Sequence, residues 1–89
     1  RSAEALRYWT TGEWERAIEA LSRQHADQPD DGGVLYNLAC AEARAGRFEA
    51  ALGHLEHAVR LEPRFLANAQ SDDDLAEIRD DPRFPRPAA

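Results

Sequence analysis

The chain has no lysine, no methionine and a single cysteine, Cys40, among its 89 residues. One thiol excludes an intramolecular disulfide and suits a reducing compartment, so a cytoplasmic location is the expectation. Without methionine, Arg1 does not read as a start, and the chain is expected to be a domain fragment of a longer protein. All 11 cationic side chains are arginine, a bias that fits a GC-rich bacterial genome. No apolar run approaches the ~20 residues needed to cross a bilayer, and no signal-peptide pattern opens the chain. Positive charge is outweighed by 17 acidic residues, giving a net charge of −6. Binding to nucleic acid depends on Lys and Arg neutralising phosphates, so an acidic chain without a basic stripe argues against it. An anionic membrane surface is disfavoured for the same reason. Catalytic equipment is also missing: there is no Gly-rich phosphate loop, and Ser2, Ser22 and Ser71 have no nucleophile motif around them. The chain therefore reads as no enzyme, with no cofactor and no catalytic residue.

What is present is helical periodicity. Residues 1–10 place Ala3, Leu6 and Trp9 at helical spacing, with Ala5 and Tyr8 beside them, until Thr11-Gly12 breaks the pattern. A second helix over about 13–26 carries Trp14, Ala17, Ile18 and Leu21 on one stripe. Pro29 and the Asp-Asp-Gly-Gly stretch at 30–33 predict a loop. A third helix over about 33–45 puts Leu35, Leu38, Ala39 and Glu42 on one face, and Gly46 is the expected left-handed C-cap. A fourth, about 47–62, carries Phe48, Ala51, Leu52, Leu55, Ala58 and Val59 before Pro63 closes it. Beyond it, Phe65, Leu66 and Ala69 predict a short fifth helix. Ser71-Asp72-Asp73-Asp74 then reads as an N-cap with acids in the first turn of a last helix, Leu75, Ile78 and Phe84 form an apolar set behind it, and Asp81-Pro82 is expected to stop it.

The two halves share a period. Gly12 and Gly46, Trp14 and Phe48, Ala17 and Ala51, Ile18 and Leu52, Leu21 and Leu55, and Pro29 and Pro63 are each 34 residues apart. A two-helix unit repeated at that spacing indicates a solenoid. With Leu35, Leu38-Ala39, Gly46, Phe48, Ala51, Leu55, Ala58 and Pro63 in the second unit, the chain resembles the tetratricopeptide repeat family. The first unit supplies Ala5, Tyr8, Gly12, Trp14, Ala17, Leu21 and Pro29, and departs at Arg1, Glu4 and Gln24. The resemblance implies an all-α fold: a right-handed α-solenoid of two helix-turn-helix repeats with short C-terminal capping helices. Repeat one would occupy about residues 1–31, repeat two about 32–65, the cap 66–84 and a flexible tail 85–89. Ala39 and Ala58 would let helices approach closely, while Phe48 and Leu55 fill the space between neighbouring units. Residues 64–84 would cover the apolar flank that the last repeat leaves open.

The resemblance also implies a protein-protein interaction module that binds a peptide or partner helix on its concave face. Family ligand contacts map beside the packing stripe, onto Leu6 and Trp9 (with Ala3 and Thr10) and onto Tyr36, Asn37, Cys40 and Arg44 (with Ala43). An Asn37 amide donates and accepts at once and can grip a peptide backbone; bonding within the domain or to water explains it as well. Arg44 can pair with a partner carboxylate or with a nearby acid such as Glu42 or Glu49. Trp9 and Tyr36 can form an aromatic platform or pack in the core, and Cys40 reads best as a small buried residue. His54 and His57 share a helix face but lack a third ligand, and Asp72–Asp74 read as capping acids, so no metal site is expected. The alternative function is an accessory or regulatory domain packed in cis on a larger parent enzyme or regulator; self-association through uncovered ends is a third.

Overall fold

A computed structural model describes residues 3–88, and among these the secondary structure is entirely helical. The elements are α1 (Ala3–Thr10), α2 (Trp14–Asp27), α3 (Gly32–Arg44), α4 (Phe48–Leu61), α5 (Phe65–Ser71) and a 3₁₀ helix, Asp73–Ile78. Arg1, a departure from the resemblance drawn on sequence, lies outside the described residues with Ser2 and Ala89.

The two helix-to-helix turns are chemical copies. Glu13 N–H donates to Tyr8 O and Gly12 N–H to Trp9 O; 34 residues later Arg47 N–H donates to Glu42 O and Gly46 N–H to Ala43 O. Each is a Schellman closure, which needs a left-handed residue at its apex. Gly12 (φ 73°) and Gly46 (φ 82°) supply it. The loop before α3 is shorter than the paired glycines suggest, because Asp31 accepts from Gly33 N–H and Val34 N–H and starts the helix at Gly32. Gly32 allows a close approach: a Cβ there would sit 2.7 Å from Glu62 Cγ at the end of α4.

α3 is the axis of the molecule, with ten of its 13 residues buried. Such a helix must be covered on more than one side. Leu38 and Ala41 pack with Ala5, Ala17, Ile18 and Leu21 from α1 and α2. On the other flank, Leu35 and Ala39 join Leu52, Leu55 and Ala58 of α4. Ala39 and Ala58 are fully buried, consistent with close helix approach. Phe65, Ala69, Leu75, Ile78 and Phe84 enter this second cluster, so the C-terminal segment is part of the main core.

Three details depart from expectation. Ser71 ends α5 instead of capping the next helix; Asp72 caps it, accepting from Asp74 N–H at 3.0 Å, and the helix is 3₁₀. That helix ends at Ile78, ahead of Asp81-Pro82. Phe48, expected to fill inter-unit space, is 42% exposed. Shifting α3 by the 34-residue period would run the next helix to residue 78, but Asp72 turns extended (ψ 117°) and α5 stops at Ser71. The surface that would cover Phe48 is therefore missing. Past Phe84 the chain keeps touching the cap: Gln70 donates to Pro85 O at 2.8 Å and Arg86 to Arg79 O at 2.6 Å.

A polar cluster sits between α2, α3 and α4. Glu42 is only 4% exposed and lies 2.6 Å from His54 Nδ1, with the His25 ring edge-on to His54 at 6.0 Å. Glu42 is thus paired across the helix hairpin and is no partner for Arg44. Its hydrogen bond raises the His54 pKa, against burial, which lowers it, with the carboxylate's charge adding to the rise. A folded-state pKa above the unfolded value stabilises fully below about pH 6.5, and that contribution is lost as pH rises through the folded value. The melting temperature is expected to fall on going from slightly acidic to slightly alkaline buffer. His54→Gln should flatten that slope, as thermal melts across the pH series would show; an equally steep slope would assign the effect elsewhere.

Candidate functional site

The expected interaction residues separate into an inward and an outward group. Tyr36, Cys40 and Ala43 are buried. Tyr36 stacks on Phe65 with ring centres 4.6 Å apart, and its hydroxyl donates to Asp72 Oδ2 at 2.8 Å. Burial first, and then this bond to a carboxylate, push the phenol far above its ordinary pKa, so it stays a donor. Cys40 Sγ lies 3.9 Å from the same Asp72 oxygen. Asp72 therefore caps the 3₁₀ helix with one oxygen and holds α3 with the other. Tyr36→Phe is expected to cost about 1–2 kcal/mol, since it leaves a part-buried carboxylate without its donor. Urea unfolding checks this, and an unchanged midpoint would show the bond to be idle.

The outward group lies on α1 and α3. Leu6 is 48% exposed on α1, and Thr10, one turn later, is exposed with its hydroxyl donating to Arg7 O at 2.9 Å. Trp9 is half-buried, touching both core clusters and meeting Trp14 edge-on at 5.1 Å. Asn37 is half-buried, and its amide makes no hydrogen bond with any described residue. Arg44 is exposed; its guanidinium carbon lies 4.8 Å from the Trp14 ring centre and its Nη1 is 3.3 Å from Asp74. The cation–π contact and the ion pair hold the guanidinium in one place.

Among the described residues, one group offers three metal-ligand atoms within 4.8 Å of one another: Cys40, Asp72 and Asp74. Asp72 is engaged by Tyr36 and Asp74 by Arg44. With a fixed guanidinium on one carboxylate, the trio works as a latch between α3 and the cap. Sequence reasoning missed this latch because its partners are 30–36 residues apart and follow no motif. The Arg83–Glu49 pair, bidentate at 2.6 and 2.8 Å, was missed for the same reason; it ties the end of the cap to α4.

No helix among the described residues is long and apolar enough to cross a membrane. The family model described as the tetratricopeptide repeat matches residues 32–65, which are α3, α4 and the turn into α5. Comparison with the curated proteins and with the solved structures returned no match.

Proposed function

Since residues 32–65 are a tetratricopeptide repeat, we propose that the chain is a protein-protein interaction module without catalysis of its own. In this reading residues 1–31 are the first repeat, 32–65 the second and 66–84 the cap that terminates the array. The contact surface is the outward part of the concave face: Leu6, Trp9, Asn37 and Arg44. The observation that carries the assignment is the uncommitted Asn37 amide on a helix whose other polar side chains are paired or buried. An amide with a free donor and a free acceptor suits a peptide backbone, which offers both groups whatever its side chains. Leu6, 48% exposed on α1, supplies an apolar contact. Tyr36 and Cys40 act from behind, by fixing the cap against α3.

Affinity capture with the wild-type chain and with a Leu6→Ala, Asn37→Ala double variant tests the reading, with bound proteins identified by mass spectrometry. Both positions lie outside the core, so the variant is expected to keep its fold, and circular dichroism checks that it does. A protein retained by the wild type and lost by the variant is the expected result. Partners held equally by both would move the site off this face, and none at all would favour a domain serving its own parent chain.

A further inference from the structure

The two equivalent turns are covered differently. In the first, Trp14 opens α2, boxed by Trp9 edge-on at 5.1 Å and by the Arg44 guanidinium carbon at 4.8 Å from its ring centre. In the second, 34 residues on, Phe48 opens α4, Ala43 stands where Trp9 stood, and the place of Arg44 falls to Ile78. Ile78 is buried in the cap core, and Phe48 stays 42% exposed. What remains is a cleft of about 370 Å³ with Ala43, Phe48 and Ala76 along it and Asp73, Asp74 and Glu77 at its edge. Arg44, also in the lining, is committed to Trp14 and Asp74. Asp73 and Glu77 are exposed and form no ion pair with a described residue.

We propose that this cleft seats an arginine side chain of a partner polypeptide, its guanidinium over Phe48 and its N–H edge toward Asp73 and Glu77. The first repeat is the template, since the same aromatic position there is covered by a guanidinium from the following helix. Ala76, exposed at the cleft, accepts the aliphatic stem, as long cationic side chains pack their stems on apolar surface. Arginine is favoured over lysine because a planar cation stacks on a ring and meets carboxylates edge-on. Three acids against one committed arginine at the cleft, on a chain of net charge −6, give the complementary field. The inference rests on the interaction-module reading for the existence of a partner, but it uses a different surface from Leu6 and Asn37.

The test is an NMR titration of the isotopically labelled 89-residue chain with N-acetyl-arginine amide, beside N-acetyl-lysine amide and N-acetyl-leucine amide. Saturable shifts at the backbone amides of Gly46, Phe48 and Ala76 are expected for the arginine probe, weaker ones for lysine and none for leucine. Phe48→Ala should weaken arginine binding roughly two- to thirtyfold, the range of an exposed to a desolvated cation–π contact. Glu77→Gln should weaken it too; both positions are exposed, and retained helix content would exclude misfolding. Equal shifts with leucine, shifts confined to other residues, or an indifferent Phe48→Ala variant would each overturn the proposal. So would cleft amides that move with protein concentration in the absence of probe, which would give the cleft to a second copy. The Leu6, Asn37 pair is untouched here, so failure at the cleft and failure of the concave face are separately visible.

Discussion

Ala51→Glu is expected to cost about 5–7 kcal/mol of stability at neutral pH, while Ala50→Glu, one residue away, leaves it nearly unchanged. Ala51 is fully buried where α4 meets α3, and Ala50 is exposed. A carboxylate at 51 finds no cation in its surroundings, which are Leu35, Ala39, Leu55 and their neighbours. It must either unfold its site or take up a proton. Neutralising a glutamate of ordinary pKa at pH 7 costs roughly 4 kcal/mol. Forcing the longer side chain into a packed site adds about 1–3 kcal/mol. At about 0.05–0.15 kcal/mol per residue, the whole chain holds roughly 4–13 kcal/mol. Far-ultraviolet circular dichroism melts of both variants are the measurement. The Ala51→Glu deficit should shrink on acidification, because the proton is then supplied by the solvent. Equal melting temperatures for the two variants would contradict the packing of α3 on α4.

The difference between positions 50 and 51 is readable from sequence alone, because a 34-residue period marks which alanine faces inward. The same holds for helix order, for the left-handed turns at Gly12 and Gly46 and for the apolar set Leu75, Ile78 and Phe84. All of these are set by local conformational preference or by period. The course of the cap is set by neither. The next helix, α5, stops after seven residues ahead of Asp72, which is extended and is held by the Tyr36 hydroxyl from far back along the chain. With the cap on this course Phe48 is left open, Arg44 meets Asp74, and Tyr36 and Cys40 are buried beside Asp72. Glu42 is a similar case. Its place on the packing stripe is legible, but its partner His54 is chosen by the α3–α4 crossing.

Leu75→Ala is expected to lower the stability of the entire chain by about 3–5 kcal/mol, the range for a fully buried leucine that leaves a cavity. Leu75 is fully buried in one cluster with residues of α3, α4 and α5, although it is carried by a segment beyond the repeat matched at residues 32–65. If the segment were a strap laid over a finished repeat pair, the variant would release residues 72–84 and leave the helices at their original stability. The shared cluster argues for one cooperative unit instead, because Leu75, Ile78 and Phe84 belong to the same buried core as Leu35, Leu52 and Leu55 of α3 and α4. Repeat arrays hold their ends by such covering, and a terminal unit without it exposes an apolar flank. Native-state hydrogen exchange distinguishes the two. Amides of α3, α4 and the 3₁₀ helix should show a common free energy of opening in the wild type, and all should fall together in Leu75→Ala. A loss of protection confined to the 3₁₀ helix, with α3 and α4 unchanged, would make the cap a separable lid. Tyr36 and Cys40 would then return to the candidate binding face, and a ligand could reach them by displacing it.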